Sequence, residues 1–121
     1  MDSLQKRVVI ITGAGIGIGQ ATAKAFAALG DHVVVTDILE NEGEATVRGI
    51  LSAGGSAEFH LYDVRSTDAA NQLVADVEAR FGKIDVIVAN AGIAHRTPLA
   101  KLSDDKWDLT MDVDLKGIFK L

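Results

Sequence analysis

Gly13, Gly15, Gly17 and Gly19 follow a short β-branched run, Val8–Ile11, and stand at the head of a helical apolar pattern. A strand, glycine turn and helix start of this kind presents unpaired backbone N–H groups and the positive end of a helix dipole. It also lacks the Cβ atoms that would hold a ligand off the backbone, so the chemistry it suits is the binding of a phosphate or pyrophosphate. The dinucleotide spacing G-x-G-x-x-G is not matched by any choice of starting glycine. What is present is T-G-x-x-x-G-x-G, on Thr12, Gly13, Gly17 and Gly19. Asp37 closes a second apolar run 18 residues beyond Gly19, about where a Rossmann-type unit places a carboxylate to accept hydrogen bonds from a ribose. The plainer readings are glycines that serve only packing and an aspartate that caps a helix.

The elements needed to position these residues are visible in the hydrophobic pattern. Val8–Ile11 suits a strand buried on both faces. Ile18, Ala21, Thr22, Ala25, Phe26 and Leu29 recur at helical spacing and predict a sheet-facing stripe, with Gly30 as the helix stop. Val33, Val34 and Val35 predict a second buried strand. Glu40, Glu42 and Glu44 open a second helix whose stripe is Val47, Ile50, Leu51 and Gly54. Ala57, Phe59 and Leu61 alternate with Glu58, His60 and Tyr62, the pattern of an outer strand. Ser66 caps a third helix with Ala70, Leu73, Val74, Val77 and Phe81 inside and Gly82 at its end. Ile84–Ala89 predicts a fourth strand with Asp85 as its charged gatekeeper. After Pro98, Ser103 opens a last helix in which Trp107, Met111, Asp114 and Ile118 share a face. The order β-α-β-α-β-α-β-α points to an α/β, doubly wound parallel sheet with strand order 3-2-1-4, one Rossmann-type domain over residues 1–121.

Composition narrows the partners. Twelve Lys and Arg against 17 Asp and Glu give a net charge of −5 with no basic cluster, which argues against nucleic acid. No apolar run approaches membrane-spanning length. Cysteine is absent, and the polar start from Met1 to Arg7 leads into an apolar run too short for a signal-peptide core. The expectation is a cytoplasmic protein without membrane or nucleic-acid partners.

With those residues placed, the chain resembles the amino-terminal, cofactor-binding half of the short-chain dehydrogenase/reductase family along essentially its whole length. Thr12, Gly13, Gly17 and Gly19 match the family's glycine motif, Asp63 and Val64 the pair that touches adenine, and Asn90, Ala91 and Gly92 the N-A-G beside the cofactor. The resemblance implies NAD as cofactor, held by Gly13, Ile16, Gly17, Ile18, Gly19, Asp37, Ile38, Asp63, Val64, Asn90, Ala91 and Gly92. An acid at Asp37 favours NAD over NADP, and neither Ile16 nor Ile38 offers a cation to a 2′-phosphate.

The family's reaction, hydride transfer between a secondary alcohol or ketone and the nicotinamide, needs a serine and a Y-x-x-x-K. The 121 residues carry neither beyond Tyr62, which Ser66 rather than a lysine follows at four residues; Tyr62 reads as structural, and these residues alone are expected to be inactive. The family's catalytic asparagine corresponds to Asp114. An ionised aspartate accepts but does not donate, and a carboxylate turned to solvent in a fraying helix is the preferred reading. His32, His60 and His95 show no metal-ligand spacing, so no metal is expected; His95 either lines a substrate cleft or sits on an exposed loop. Three readings stay open at this stage: an NAD-binding oxidoreductase half, a nucleotide-binding module without catalysis, and a methyltransferase-like domain, which the N-A-G disfavours. An unpaired fourth strand and a partly uncovered last helix predict a homo-oligomer.

Overall fold

The structure is a computed structural model and describes residues 6–121; the expected polar, leaderless start lies largely outside them. Four strands, β1 (Val8–Ile11), β2 (His32–Asp37), β3 (Ser56–Leu61) and β4 (Val86–Val88), form one parallel sheet in the order β3-β2-β1-β4. Four helices, α1 (Gly17–Ala28), α2 (Glu40–Ser52), α3 (Thr67–Phe81) and α4 (Asp104–Met111), alternate with them. A π-helical turn, Asp112–Lys116, and a 3-10 turn, Ile118–Lys120, continue α4.

β1 is apolar throughout, and β2 is apolar from Val33 to Val35, because both of their faces are covered. Val9, Ile11, Val33 and Val35 pack on one side against Ala23 and Ala27 of α1 and Val47 and Ile50 of α2. Val8, Ile10 and Val34 pack on the other against Ala70, Leu73 and Val77 of α3, with Tyr62 and Val64. Register is in step across the sheet, Val9 standing opposite Val33 on one side and Val86 on the other. This brings the carboxyl ends of β1, β2 and β4 to one rim, where a doubly wound sheet opens its ligand crevice.

Local chemistry sets the helix ends as expected for α3. Ser66 Oγ accepts from the Ala69 N–H at 3.1 Å, and Gly82 leaves the helix at φ +75°, a left-handed conformation that costs a glycine little.

Several sequence expectations shift. The buried stripe of α1 is Gly19, Ala23 and Ala27, while Ile18 and Leu29 are exposed. The reason is steric: a Cβ on Gly19 would lie 2.1 Å from the Gly13 carbonyl oxygen, so the turn locks Gly19 inward and the helix phase follows from it. Leu51 and Leu61 are exposed as well. The fourth strand is only three residues long, and Asp85 does not guard its free edge. Its carboxylate turns back to β1, accepting from the Val8 N–H at 2.7 Å and pairing with Lys83 at 3.1 Å. The α4 face also breaks at the π-helical turn, whose extra residue sends Asp114 inward while Trp107 and Ile118 stay half exposed.

Candidate cofactor cleft

The site grows from the turn between β1 and α1. Gly13 adopts φ +65°, and a Cβ there would stand 2.9 Å from the Ala91 Cα, so the turn lies directly on the N-A-G segment after β4. Gly17 adopts φ +59° with open space around it; its requirement is conformational. Ile16 is the N-cap position of α1 and brings no side-chain cap. The first helical bond runs from the Gln20 N–H to the Ile16 carbonyl, and the N–H groups of residues 16–19 find no acceptor among the described residues. These are the orphan donors of a helix start, at the positive end of its dipole.

Two clamps hold this turn. On the β4 side, Thr12 Oγ1 accepts from the N–H groups of Asn90 and Ala91 at 3.1 and 3.0 Å, while Asn90 Nδ2 donates to the carbonyls of Thr12 and Gly13 at 3.1 and 3.2 Å. On the β2 side, buried Asp37 accepts from the Gly15 N–H at 2.8 Å and from the Leu39 N–H at 2.9 Å. Each engaged oxygen keeps a second lone pair, so the carboxylate retains accepting capacity toward a ligand.

Between the clamps opens a cleft of about 530 Å³, within the range of small-molecule and cofactor sites. It gathers Gly13, Ile16, Asp37, Ile38, Asp63, Val64, Asn90, Ala91 and Gly92, nine of the positions singled out in the sequence. Gly17, Ile18 and Gly19 lie outside its lining; Ile18 is 79% exposed and Gly19 is buried against Gly13. Leu39, Tyr62, Arg65, Ile93, Leu109 and Val113 also line the cleft and were not expected there.

Two of these matter for charge and polarity. Arg65 is a cation in the cleft wall, which neither Ile16 nor Ile38 supplies. It is committed to Asp63, donating from Nε at 3.0 Å and from Nη2 at 2.6 Å, and this pairing holds the Asp63 carboxyl below its ordinary value. Tyr62 packs in the core, and its buried hydroxyl has no partner among the described residues. Burial, reinforced by Asp63, raises its phenol above the ordinary range. Periodicity grouped Tyr62 with Glu58 and His60, opposite Ala57, Phe59 and Leu61, and carried no sign that the ring would be buried or reach the cleft.

Asp114 is not turned to solvent. Its Oδ1 accepts from the Ile93 N–H at 2.8 Å and so anchors the segment after N-A-G to the π-helical turn. That is a bond an asparagine carbonyl would make equally. His95 does not line the cleft, and its buried Nε2 has no partner among the described residues. On the far edge of β3, away from the cleft, Glu58, His60 and Asp76 converge despite their unremarkable spacing. The Arg80 guanidinium lies among them, 2.8 Å from Asp76 Oδ2 and 3.4 Å from His60 Nε2.

Comparison with known proteins agrees with this geometry. The short chain dehydrogenase family description matches residues 7–121. An uncharacterized oxidoreductase of Thermotoga maritima is 42% identical over 119 residues, which cover 98% of this chain and 47% of that protein. The crystal structure of a metagenomic short-chain oxidoreductase in complex with NADP superposes with a TM-score of 0.91 at 36% identity, covering 98% of this chain and 55% of that one. A short chain dehydrogenase from Mycobacterium avium gives a TM-score of 0.89 at 40% identity, over 99% of this chain and 46% of that one. The chain thus spans about half the length of the relatives it matches. Sequence motifs, parallel 3-2-1-4 sheet and relatives converge, and the chain belongs to the short-chain dehydrogenase family.

Proposed function

We propose that this chain is the NAD-binding part of an oxidoreductase that transfers hydride between a secondary alcohol or ketone and the nicotinamide. The observation that carries the reading is the position of Asp37: a buried carboxylate on the wall of the same cleft that the glycine turn opens. A pyrophosphate laid on the orphan N–H groups of residues 16–19 puts the adenosine ribose toward Asp37, where its hydroxyls find an acceptor and a 2′-phosphate meets a negative charge. Asp63 and Val64 then serve the adenine, and Asn90, Ala91 and Gly92 support the nicotinamide half. The nicotinamide, when bound, supplies the hydride acceptor or donor; the residues here bind and orient it.

The NADP of the metagenomic relative supports a nicotinamide dinucleotide as the ligand class. Our reading differs from it at the 2′ position, because Arg65, the cation in the cleft wall, is neutralised by Asp63. Within residues 1–121 the sole tyrosine is Tyr62, with Ser66 four positions on, so these residues expressed alone are expected to bind dinucleotide without oxidising an alcohol. The same reading places the protein in the cytoplasm, in keeping with its lack of cysteine, and no helix among the described residues is long and apolar enough to cross a membrane. Thermal melting with NAD, NADP and S-adenosylmethionine tests the assignment, since only a ligand of the native state raises the midpoint. The largest rise is expected with NAD; a rise with S-adenosylmethionine alone would replace this reading with a methyl-transfer one.

A further inference from the structure

Thr46 lies in the middle of α2, fully buried and outside the cleft lining. Its hydroxyl nevertheless reaches across to the glycine turn: Oγ1 is 3.0 Å from the Ala14 carbonyl oxygen and 3.3 Å from that of Gly15, residues more than thirty positions earlier. A threonine in a helix ordinarily returns its proton to the carbonyl four residues back, and the Glu42 oxygen is available at 3.2 Å. That habit does not account for the two contacts to the turn, the shorter of which is the closest of the three.

The approach is built into α2. Gly43 lets the helix settle on β3, for a Cβ there would stand 2.1 Å from the Phe59 ring. Gly15 faces the same helix, with its own missing Cβ 3.1 Å from the Gly43 nitrogen and 2.8 Å from Asp37 Oδ2. The N–H groups of the turn's first limb are both hydrogen-bonded, and its two carbonyls share the single Thr46 proton. The Ala14 N–H donates to the Thr36 carbonyl at 3.0 Å, the Gly15 N–H donates to Asp37, and both carbonyls face the Thr46 hydroxyl.

A trans peptide points its C=O and N–H in opposite directions. Drawing the Gly15 carbonyl toward α2 therefore turns the Ile16 N–H the other way, and Ile16 lines the cleft. We propose that Thr46 is a positioning residue for the cofactor's phosphates: its hydroxyl fixes the Ala14 and Gly15 peptide planes so that the donors from Ile16 onward face the cleft before the ligand arrives. The inference rests on the dinucleotide reading above, and preorganisation of this kind appears in affinity because the free turn need not be reordered on binding.

Calorimetric titration of the protein and its Thr46→Val and Thr46→Ser variants with ADP and with adenosine provides the test, each run well below the melting midpoint of its variant. The native protein is expected to bind ADP. Thr46→Val should bind ADP about five- to tenfold more weakly, the worth of one hydrogen bond, with adenosine affinity unchanged within about twofold because adenosine carries no phosphate to misplace. Thr46→Ser keeps the donor and should stay within about twofold of the native protein for both ligands. Thr46→Ala takes the place of valine if that variant does not fold. Equal ADP affinity without the hydroxyl would overturn the proposal, as would a loss shared by adenosine or a serine variant as weak as valine. A native protein that binds neither ADP nor NAD would instead remove the cofactor reading and this inference with it.

Discussion

Thr12 and Asn90 hold one another in both directions: the threonine hydroxyl accepts from the Asn90 N–H while the asparagine amide returns a hydrogen bond to the Thr12 carbonyl. They sit at the carboxyl ends of two strands that are neighbours in the sheet but far apart in sequence. The pair ties the glycine turn to the N-A-G segment through groups that are buried or half buried. Thr12→Val keeps the shape and removes the acceptor of the Ala91 N–H, while the Asn90 N–H keeps the Val88 carbonyl at 3.0 Å, so we expect a loss of about 1–2 kcal/mol in urea unfolding together with weaker dinucleotide binding. A variant that unfolds at the native urea midpoint would show the clamp to be energetically idle.

The choice between NAD and NADP turns on Asp37. The native protein is expected to bind NAD more tightly, and Asp37→Ala should narrow the gap by about tenfold through removal of both the repulsion and the ribose acceptor. Because Asp37 also holds the Gly15 and Leu39 N–H groups, the variant should melt lower as well. Titration of both cofactors against both proteins decides it; tighter binding of NADP by the native protein would reverse the assignment.

What could be read from the sequence was what depends on residue type along one element. Val8–Ile11 and Val33–Val35 announce strands buried on both faces because nothing polar interrupts them, and the alternation through Phe59 announces an outer strand. Of the nine residues that meet in the cleft, Asp63, Val64, Asn90, Ala91 and Gly92 were found through the family resemblance, whereas the glycine turn and Asp37 are legible from residue type and spacing. The phase of α1 was not, since it is set by the absence of a side chain at Gly19 and not by the largest apolar residues. Contacts made across elements were silent too. Nothing in the pattern around Thr46, Arg65 or Asp114 shows that a helix hydroxyl reaches the turn, that a cation enters the cleft wall, or that a carboxylate anchors Ile93.

Acid should loosen the outer edge of the sheet. Burial pushes the Glu58 carboxyl up, but hydrogen bonds from His32, Arg80 and His60 outweigh it and hold the group far below its ordinary value of 4.5. A carboxyl lowered in the folded state contributes stability that is complete above its unfolded value and is lost as pH falls through the acid range. Glu58→Gln should therefore cost stability at pH 7, and the difference from the native protein should begin to narrow as the pH falls below 4.5 and be clearly smaller, though not abolished, at pH 3. Asp63, lowered by Arg65, and Asp85, lowered by the Val8 N–H, keep part of the acid dependence in the variant. Urea midpoints across that range measure it; a gap that persists unchanged at pH 3 would assign Glu58 a purely steric role.

Tyr62 offers the opposite kind of test. Its hydroxyl is buried and unpartnered among the described residues, and such a group costs desolvation without return. Tyr62→Phe should leave the melting midpoint unchanged or raise it, with the ring's place in the core cluster beneath α3 kept. A clear fall in the midpoint would reveal a hydrogen bond to an ordered water.

The remaining apolar surface bears on assembly. Trp107, Leu115, Ile118 and Phe119 are 52, 61, 50 and 73% exposed along α4 and its continuation, and among the described residues β4 pairs with β1 alone, leaving its other edge open with Ile87 partly exposed and no charged gatekeeper on it. Burying about 400 Å² of apolar surface on each of two copies contributes about 20 kcal/mol, against an association cost of about 4–15 kcal/mol. The difference favours covering this surface, and a second copy of the chain is the cover we expect. Sedimentation at micromolar concentration is expected to find a dimer or larger assembly, and Phe119→Asp should shift it toward monomer by placing a charge in the contact. The two proposed routes separate in hydrogen exchange: pairing along the β4 edge protects the Ile87 N–H only in the assembly, whereas helix-to-helix contact leaves its exchange the same in both forms. A native protein that sediments as a monomer at that concentration would show that α4 and its continuation need no partner.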